Sequence, residues 1–118
     1  MKVLVLEDDP VSMAAITHDL EQWGHSVMQS KNSIEAFNII SKNLDINLVI
    51  VDLKLPNENG LDFIKDVRNI SKKIPIVIVS GTVNTKSLKV AQKYNCKDIL
   101  VKPHAKERLE KILHSIKK

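Results

Sequence analysis

The chain has 118 residues, of which 43% are hydrophobic and 27% are charged, which fits one globular domain over residues 1–118 and excludes a disordered chain. Cys96 is the only cysteine, so an internal disulfide is excluded and a reducing, cytoplasmic location is expected. The net charge of +4 comes from lysines. Without a nucleic-acid-binding motif or a run of roughly 20 apolar residues, neither direct nucleic-acid binding nor membrane insertion is expected.

Five apolar runs alternate with helical patterns along the chain. They predict strands at residues 3–6, 26–29, 48–51, 76–79 and 99–101. Four runs are almost continuously aliphatic, which is typical of strands buried on both faces of a parallel sheet. The second run is more polar, so we expect it at an edge. This βα repetition predicts an α/β fold with a doubly wound parallel sheet and right-handed crossovers.

The helices between these strands are predicted from their caps and apolar periodicity. The first is expected to begin at Pro10, after Asp9 as its cap, and to end at Gly24. The others are expected to begin, in chain order, near Ser33, Gly60, Asn84 and His104. The apolar positions expected to face the core are Val11, Ala15, Ile16, Leu20 and Trp23 in the first helix; Ile34, Phe37 and Ile40; Leu61, Ile64 and Val67; Leu88, Ala91 and Tyr94; and Leu109, Ile112, Leu113 and Ile116 in the last.

Side chains that carry chemistry follow four of the predicted strands. They are Glu7, Asp8 and Asp9 after the first strand, Asp52 after the third, Ser80 after the fourth and Lys102 after the fifth. The carboxyl ends of parallel strands share one edge of the sheet, so we expect these groups to converge in one crevice. Singly, each also has a structural interpretation as a cap, a turn former or a solvated strand end, and for Asp9 capping is favoured.

Clustered carboxylates repel one another, and a hard divalent cation relieves that repulsion. The predicted ligands for Mg²⁺, with Mn²⁺ as a substitute, are the carboxylates of Glu7, Asp8 and Asp52 and the backbone carbonyl of Lys54. An ionised Asp52 can attack phosphorus. Lys102 and the Ser80 hydroxyl would then stabilise the phosphoryl oxygens.

The chain resembles the response-regulator receiver domains of two-component signalling, of the chemotaxis-regulator type. The motifs that carry the resemblance lie at residues 3–10, 49–60, 77–81 and 100–103. The resemblance implies a three-layer α/β/α, flavodoxin-like fold with strand order 2-1-3-4-5. It also implies that Asp52 is phosphorylated by a sensor histidine kinase or a histidine phosphotransfer protein, that Glu7 and Asp8 hold Mg²⁺, and that Ser80 and Lys102 contact the phosphoryl group.

By the same resemblance, phosphorylation biases the surface of the fourth helix, fifth strand and fifth helix toward a downstream protein. A stand-alone receiver of this kind, monomeric or dimeric when phosphorylated, is either a terminal output or a relay intermediate. It promotes its own phosphorylation and dephosphorylation but is not an enzyme that turns over a separate metabolite.

The sequence departs from the family pattern at Ile99, where an aromatic switch residue is usual, and at His104, where phenylalanine is common. Lys54 and Thr82 flank the crevice and are predicted to tune the lifetime of the phosphoryl group. Lys86, Lys89, Lys93 and Lys97 are predicted to form either a face for an acidic partner or a merely solvated surface. The histidines His18, His25, His104 and His114 show no metal-ligand spacing and are expected at the surface.

Other functions compete with this interpretation. A phosphohydrolase of the haloacid-dehalogenase type also uses a strand-end aspartate, but it expects a second acid two residues later, where Lys54 stands. A degenerate receiver would bind partners without phosphate, yet the acid, serine and lysine set is intact. A flavin-binding flavodoxin-like domain would need aromatic residues and a Ser/Thr/Gly-rich phosphate loop, and the chain is short of both.

Overall fold

The computed structural model describes residues 1–55 and 58–116, and in that part it contains seven strands and five helices. The strands are β1 Lys2–Leu6, β2 Ser26–Ser30, β3 Leu48–Asp52, β4 Lys54–Leu55, β5 Glu58–Asn59, β6 Ile76–Ser80 and β7 Asp98–Val101. The helices are α1 Pro10–Gln22, α2 Ser33–Lys42, α3 Gly60–Ile70, α4 Thr85–Lys93 and α5 Lys106–Ser115. All five predicted strands and helices are present, and the short β4–β5 hairpin is an addition that the sequence did not indicate.

The main sheet has the order β2-β1-β3-β6-β7, and all its neighbouring strands are parallel. Strands β4 and β5 pair with each other outside it. Among the five long strands this is therefore the predicted 2-1-3-4-5 order. Every long strand ends at the same edge, and the polar strand β2 lies at a side of the sheet as expected.

Both faces of the sheet are covered, because successive strand residues point to opposite sides. In β1, Leu4 and Leu6 belong to an apolar cluster with residues of α2, α3 and α4. Val3 and Val5 belong to a second cluster with residues of α1 and α5. This two-sided burial explains why the central strands are almost continuously aliphatic.

The predicted apolar face of α1 is partly wrong. Met13, Ile16 and Leu20 are the buried apolar residues of this helix, whereas Val11 is 77% exposed and Ala15 is exposed. Val11 and Ala15 each stand two residues from Met13, which places them about 200° around the helix. Apolar residues occupy both sides of α1, so periodicity alone could not select the side that packs on the sheet.

The same error occurs in α2 and α4. Ile34 is 74% exposed and Leu88 is 54% exposed, and each stands two residues before a buried residue, Ala36 and Val90 respectively. Phe37 is also 41% exposed. The small Ala36, which gives a weak hydrophobic signal, marks the side of α2 that approaches the sheet.

The predicted start of α1 is confirmed: Asp9 Oδ2 accepts a hydrogen bond from the backbone N–H of Ser12 at 3.2 Å. Gly24, with φ of 86°, lies just after the helix, where glycine adopts left-handed backbone without strain. Helix α5 begins at Lys106, two residues after the predicted start near His104. In the described part of the chain, no helix is long and apolar enough to cross a bilayer.

Candidate functional site

The carboxyl-terminal edge of the sheet brings two acids and a lysine into direct contact. Lys102 Nζ lies 2.6 Å from Glu7 Oε1 and 2.8 Å from Asp52 Oδ2. These residues follow or end β1, β3 and β7, so parallel strands that end at one edge of the sheet bring together positions that are distant in sequence. The convergence expected of Glu7, Asp52 and Lys102 is present.

Asp8 completes an acidic cluster with Glu7 and Asp52. One carboxylate oxygen from each of the three lies within 4.8 Å of the others. Glu7 and Asp52 are buried and Asp8 is half-buried, so the cluster opens toward solvent on the Asp8 side. Asp9, in contrast, is exposed and caps α1.

Burial sets the protonation behaviour of this cluster. Desolvation raises the pKa of Glu7, and the neighbouring Asp52 adds to the rise, while Lys102 and the Asp9 N–H oppose it. Desolvation by itself would lower the pKa of Lys102, but its contacts with Asp52 and Glu7 outweigh this and raise that pKa above its ordinary value. Lys102 is therefore a permanent cation at neutral pH beside Glu7, whose ionised form burial disfavours.

The acids fit a divalent cation. Glu7 Oε1 is buried and has no hydrogen-bond partner, although the Lys102 ammonium lies 2.6 Å away as an ion pair. Carboxylate oxygens of three acids that lie within 4.8 Å of one another are a suitable donor set for a hard cation. The Lys54 carbonyl stays a prediction as a further ligand.

Two backbone features hold Asp52 in place. The Lys54 N–H donates to Asp52 Oδ1 at 2.9 Å, which leaves Oδ2 to Lys102. Gly60, the first residue of α3, packs so closely that a Cβ there would lie 2.2 Å from the Asp52 carbonyl oxygen. Sequence reasoning used Gly60 only as a helix start and missed this role, although its place in the motif at residues 49–60 is the signal that could have indicated it.

Ser80 ends β6 at the same edge, but its hydroxyl faces its own loop. Ser80 Oγ donates to the Thr82 carbonyl at 2.7 Å. Lys54, Ser80 and Thr82 line one cavity beside the acids. The structure thus brings together the two residues predicted to tune phosphate lifetime, while the Ser80 side chain is not directed at Asp52.

Ile99 is buried in the apolar cluster beneath α4, together with Val90 and Ile78. Its side chain is part of the core and carries no hydrogen-bonding group. The position predicted for a switch residue is therefore occupied by a packing residue.

The expectation that all four histidines lie at the surface is wrong for His104. Its Nε2 lies 2.7 Å from Asp19 Oδ2, and the two side chains are only 9% and 13% exposed. This contact joins α1 to the segment after Lys102, and it was missed because no local sequence pattern pairs His104 with Asp19. His25 is half-buried, with Nδ1 2.8 Å from the amino-terminal nitrogen, whereas His18 and His114 are exposed as expected.

The lysines predicted as a partner face divide into two groups. Lys86, Lys89 and Lys93 are exposed along α4 and line a groove between α3 and α4. Lys97 is also exposed, but it lies in a different concavity beside Arg68.

Comparison with known proteins agrees with this geometry. The family model described as response regulator receiver domain matches residues 3–114. The chemotaxis protein CheY homolog of Campylobacter jejuni is 32% identical, and the alignment covers 96% of this chain and 92% of that protein. Chemotaxis protein CheY1 of Helicobacter pylori is also 32% identical, with coverage of 96% and 97%.

Solved structures show the same fold. Chemotaxis protein CheY4 of Vibrio cholerae superposes with a TM-score of 0.90 at 26% identity, and the match covers 98% of both chains. A receiver domain protein of Clostridium thermocellum gives a TM-score of 0.89 at 26% identity, over 98% of this chain and 92% of that one. With its acidic cluster, strand-end lysine and parallel sheet, the chain belongs to the family of response regulator receiver domains.

Proposed function

We propose that the chain is a phosphoacceptor switch in which Asp52 receives a phosphoryl group from the phosphohistidine of a sensor kinase or phosphotransfer protein. Receiver domains as a family interact with such proteins and generally bind Mg²⁺ at an acidic pocket. The observation that carries the proposal is the Asp52 carboxylate, which lies beside Glu7, Asp8 and Lys102 at the ligand-binding edge of the sheet.

The proposed transfer needs only groups that are present in the two proteins. An Asp52 carboxylate oxygen attacks phosphorus, a phosphorus–oxygen bond forms, and the phosphorus–nitrogen bond to the donor imidazole breaks. The electron pair of that bond goes to the imidazole nitrogen, which takes up a proton. The product is an acyl phosphate, which water later hydrolyses back to carboxylate and inorganic phosphate.

Glu7, Asp8 and Asp52 would hold the cation, with the Lys54 carbonyl as a further ligand. A bound Mg²⁺, or Mn²⁺ in its place, supplies charge neutralisation for the crowded carboxylates and the phosphoryl oxygens. The buried Glu7 carboxylate already pairs with a cation, the Lys102 ammonium at 2.6 Å, which supports its assignment as a ligand.

Lys102 and Ser80 would stabilise the transferred group. Lys102 already contacts Asp52, so its ammonium is placed to pair with a phosphoryl oxygen after transfer. Ser80 would exchange its bond to the Thr82 carbonyl for one to a phosphoryl oxygen. Charge-assisted hydrogen bonds are roughly twice as strong as neutral ones, so this exchange is favourable.

The output is proposed to be protein–protein contact at the surface of α4, β7 and α5, which includes the exposed Val101 and Leu88. The chain would promote its own phosphorylation and dephosphorylation without turning over a separate metabolite. Because Ile99 is an aliphatic core residue, we expect the shift of this surface to depend on the Ser80–Thr82 loop and not on rotation of an aromatic ring.

The test is incubation with acetyl phosphate and Mg²⁺, followed by measurement of the intact protein mass. We expect one phosphoryl adduct on the native protein, none on Asp52→Asn, and a normal adduct on Asp62→Asn, which alters an exposed acid of α3. Excess EDTA should suppress the reaction. An adduct of equal size on Asp52→Asn would show that Asp52 is not the acceptor, and no adduct on any protein would favour a receiver that binds partners without phosphate.

A further inference from the structure

A groove between α3 and α4 is lined by four exposed lysines, and we call it the lysine groove. Lys65 of α3 stands on one rim, and Lys86, Lys89 and Lys93 of α4 stand on the other. Among the side chains of residues 1–55 and 60–116, none of the four takes part in an ion pair and no acidic side chain lines the groove. The acids of α3, Asp62 and Asp66, do not line it.

The floor of the lysine groove is apolar. It is formed by Val90, which is buried, and by Leu61 and Tyr94, which are half-buried. Lys93 lies over the ring of Tyr94, with its Nζ 5.6 Å from the ring centroid, a cation–π distance that holds this ammonium at the rim. An apolar floor between positive rims suits a ligand that is apolar on one side and negative on its flanks.

The spacing of the rim lysines matches a helix. Lys86, Lys89 and Lys93 follow an i, i+3, i+7 pattern on α4, a stripe about 10 Å long. An amphipathic helix of two to three turns laid in such a groove places its apolar side on the floor and its carboxylates against the rims. All four cations are lysines, whereas nucleic-acid contacts favour arginine, and the aromatic residue of the floor, Tyr94, is half-buried with Lys93 over its ring.

We infer that the lysine groove is a docking site for an acidic amphipathic helix of a partner protein. The inference rests on the proposed function for its purpose, because it adds to the output surface of α4, β7 and α5 a second face of α4 with its own class of partner, but the binding itself needs no phosphate. The groove also adjoins the site: the cavity beside Ser80 and the lysine groove share Leu61, Lys86 and Val90. A helix bound there would therefore contact the same residues that border the Ser80–Thr82 loop.

The test uses a synthetic, fluorescently labelled helical peptide with leucine on one side and glutamate on both flanks. Its binding to the unphosphorylated full chain is measured by anisotropy and mapped by amide chemical shifts. We expect shifts concentrated at Lys65, Val90 and Tyr94, and weaker binding at high salt. A matched peptide with lysine in place of glutamate should not bind.

Charge reversal provides the decisive comparison. Lys86→Glu/Lys89→Glu should weaken binding about tenfold, since each reversal replaces an attraction by a repulsion. Lys72→Glu/Lys73→Glu makes the same change in net charge at exposed lysines after α3, outside the groove, and should alter binding by less than about twofold by the same reasoning. The inference would be overturned if both variants lost peptide binding equally, or if the chemical-shift changes centred on β7 and α5. Tighter binding of a single-stranded DNA than of the peptide would also overturn it.

The Asp52→Asn protein separates this inference from the proposed function. We expect that variant to bind the peptide normally while it takes up no phosphoryl group. Loss of peptide binding by a protein that is phosphorylated normally would remove the docking site alone. Normal peptide binding by a native protein that accepts no phosphoryl group would remove the phosphoacceptor role alone.

Discussion

Lys102 is the cation that compensates two buried carboxylates, and Lys102→Met tests that role directly. The substitution keeps an apolar stem of similar length and removes the ammonium that lies 2.6 Å from Glu7 and 2.8 Å from Asp52. The two acids then repel each other without a neutralising charge between them. We expect the metal-free variant to be less stable than the native protein at pH 7.

The magnitude follows from the burial of the partners. Removing one member of a buried ion pair typically costs about 3–5 kcal/mol. The side chain of Lys102 is 25% exposed, and Glu7 can relieve the repulsion by taking up a proton, so we expect a smaller loss of about 2–3 kcal/mol in the free energy of unfolding.

The loss should depend on pH in a defined direction. The pKa of Glu7 is raised by burial and by Asp52, and loss of the ammonium raises it further. An acid with a raised folded-state pKa favours folding most below its ordinary pKa, so the variant should regain stability as the pH falls through the raised Glu7 pKa. The pKa of Lys102 is also raised in the native protein, so its stabilisation is lost as the pH rises through that value. The difference between the proteins is widest between these two limits.

Urea denaturation followed by the fluorescence of Trp23, in EDTA and in Mg²⁺, measures this difference. Mg²⁺ should stabilise Lys102→Met more than the native protein, because the ion replaces the missing cation. Lys106→Met, at an exposed lysine of α5, should change stability by less than about 0.5 kcal/mol. A Lys102→Met protein as stable as the native one at pH 7 in EDTA would refute the reasoning.

Three further predictions concern single residues. Gly60→Ala should cost about 3 kcal/mol in unfolding free energy and impair phosphorylation of Asp52, because the new Cβ would lie 2.2 Å from the Asp52 carbonyl oxygen. The control is Gly81→Ala, whose Cβ would meet nothing within 4 Å. It should leave both the unfolding free energy and the phosphorylation nearly unchanged. Glu7→Gln should stabilise the metal-free protein at pH 8, and its stability should decrease less than that of the native protein as the pH rises above 4.5. The same substitution should weaken stabilisation by Mg²⁺. An unchanged dependence of stability on pH in urea titrations would argue against a raised Glu7 pKa. Burial raises the pKa of the Cys96 thiol to about 11, so its reaction with a disulfide reagent at pH 8 should be slow in the native state and fast in urea, and equal rates would contradict the burial.

The meeting of the site residues at one edge of the sheet could be predicted because it depends on topology alone. Val3–Leu6 and the other aliphatic runs identify buried parallel strands, and any polar residue that follows them, such as Glu7 or Asp52, must lie at one edge. No side-chain geometry is needed for that step. The same argument placed Lys102 correctly.

What could not be predicted depends on orientation and on long-range partners. Whether Val11 or Met13 faces the sheet is decided by packing of the whole helix, since both are apolar. The Ser80 hydroxyl could donate to Asp52, to a phosphoryl group or to its own loop, and it donates to the Thr82 carbonyl in the structure. The contact of His104 with Asp19 joins residues 85 positions apart, and no local pattern reports it.

The central claim is that Asp52, held beside Glu7, Asp8 and Lys102, is the residue that carries the phosphoryl group. Borohydride reduces an acyl phosphate to an alcohol, so treatment of the phosphorylated protein, followed by peptide mass mapping, marks the acceptor permanently. We predict that homoserine replaces aspartate at position 52 alone, and only when Mg²⁺ was present during phosphorylation. Reduction at Asp8, or at any other acid with Asp52 intact, would contradict the account.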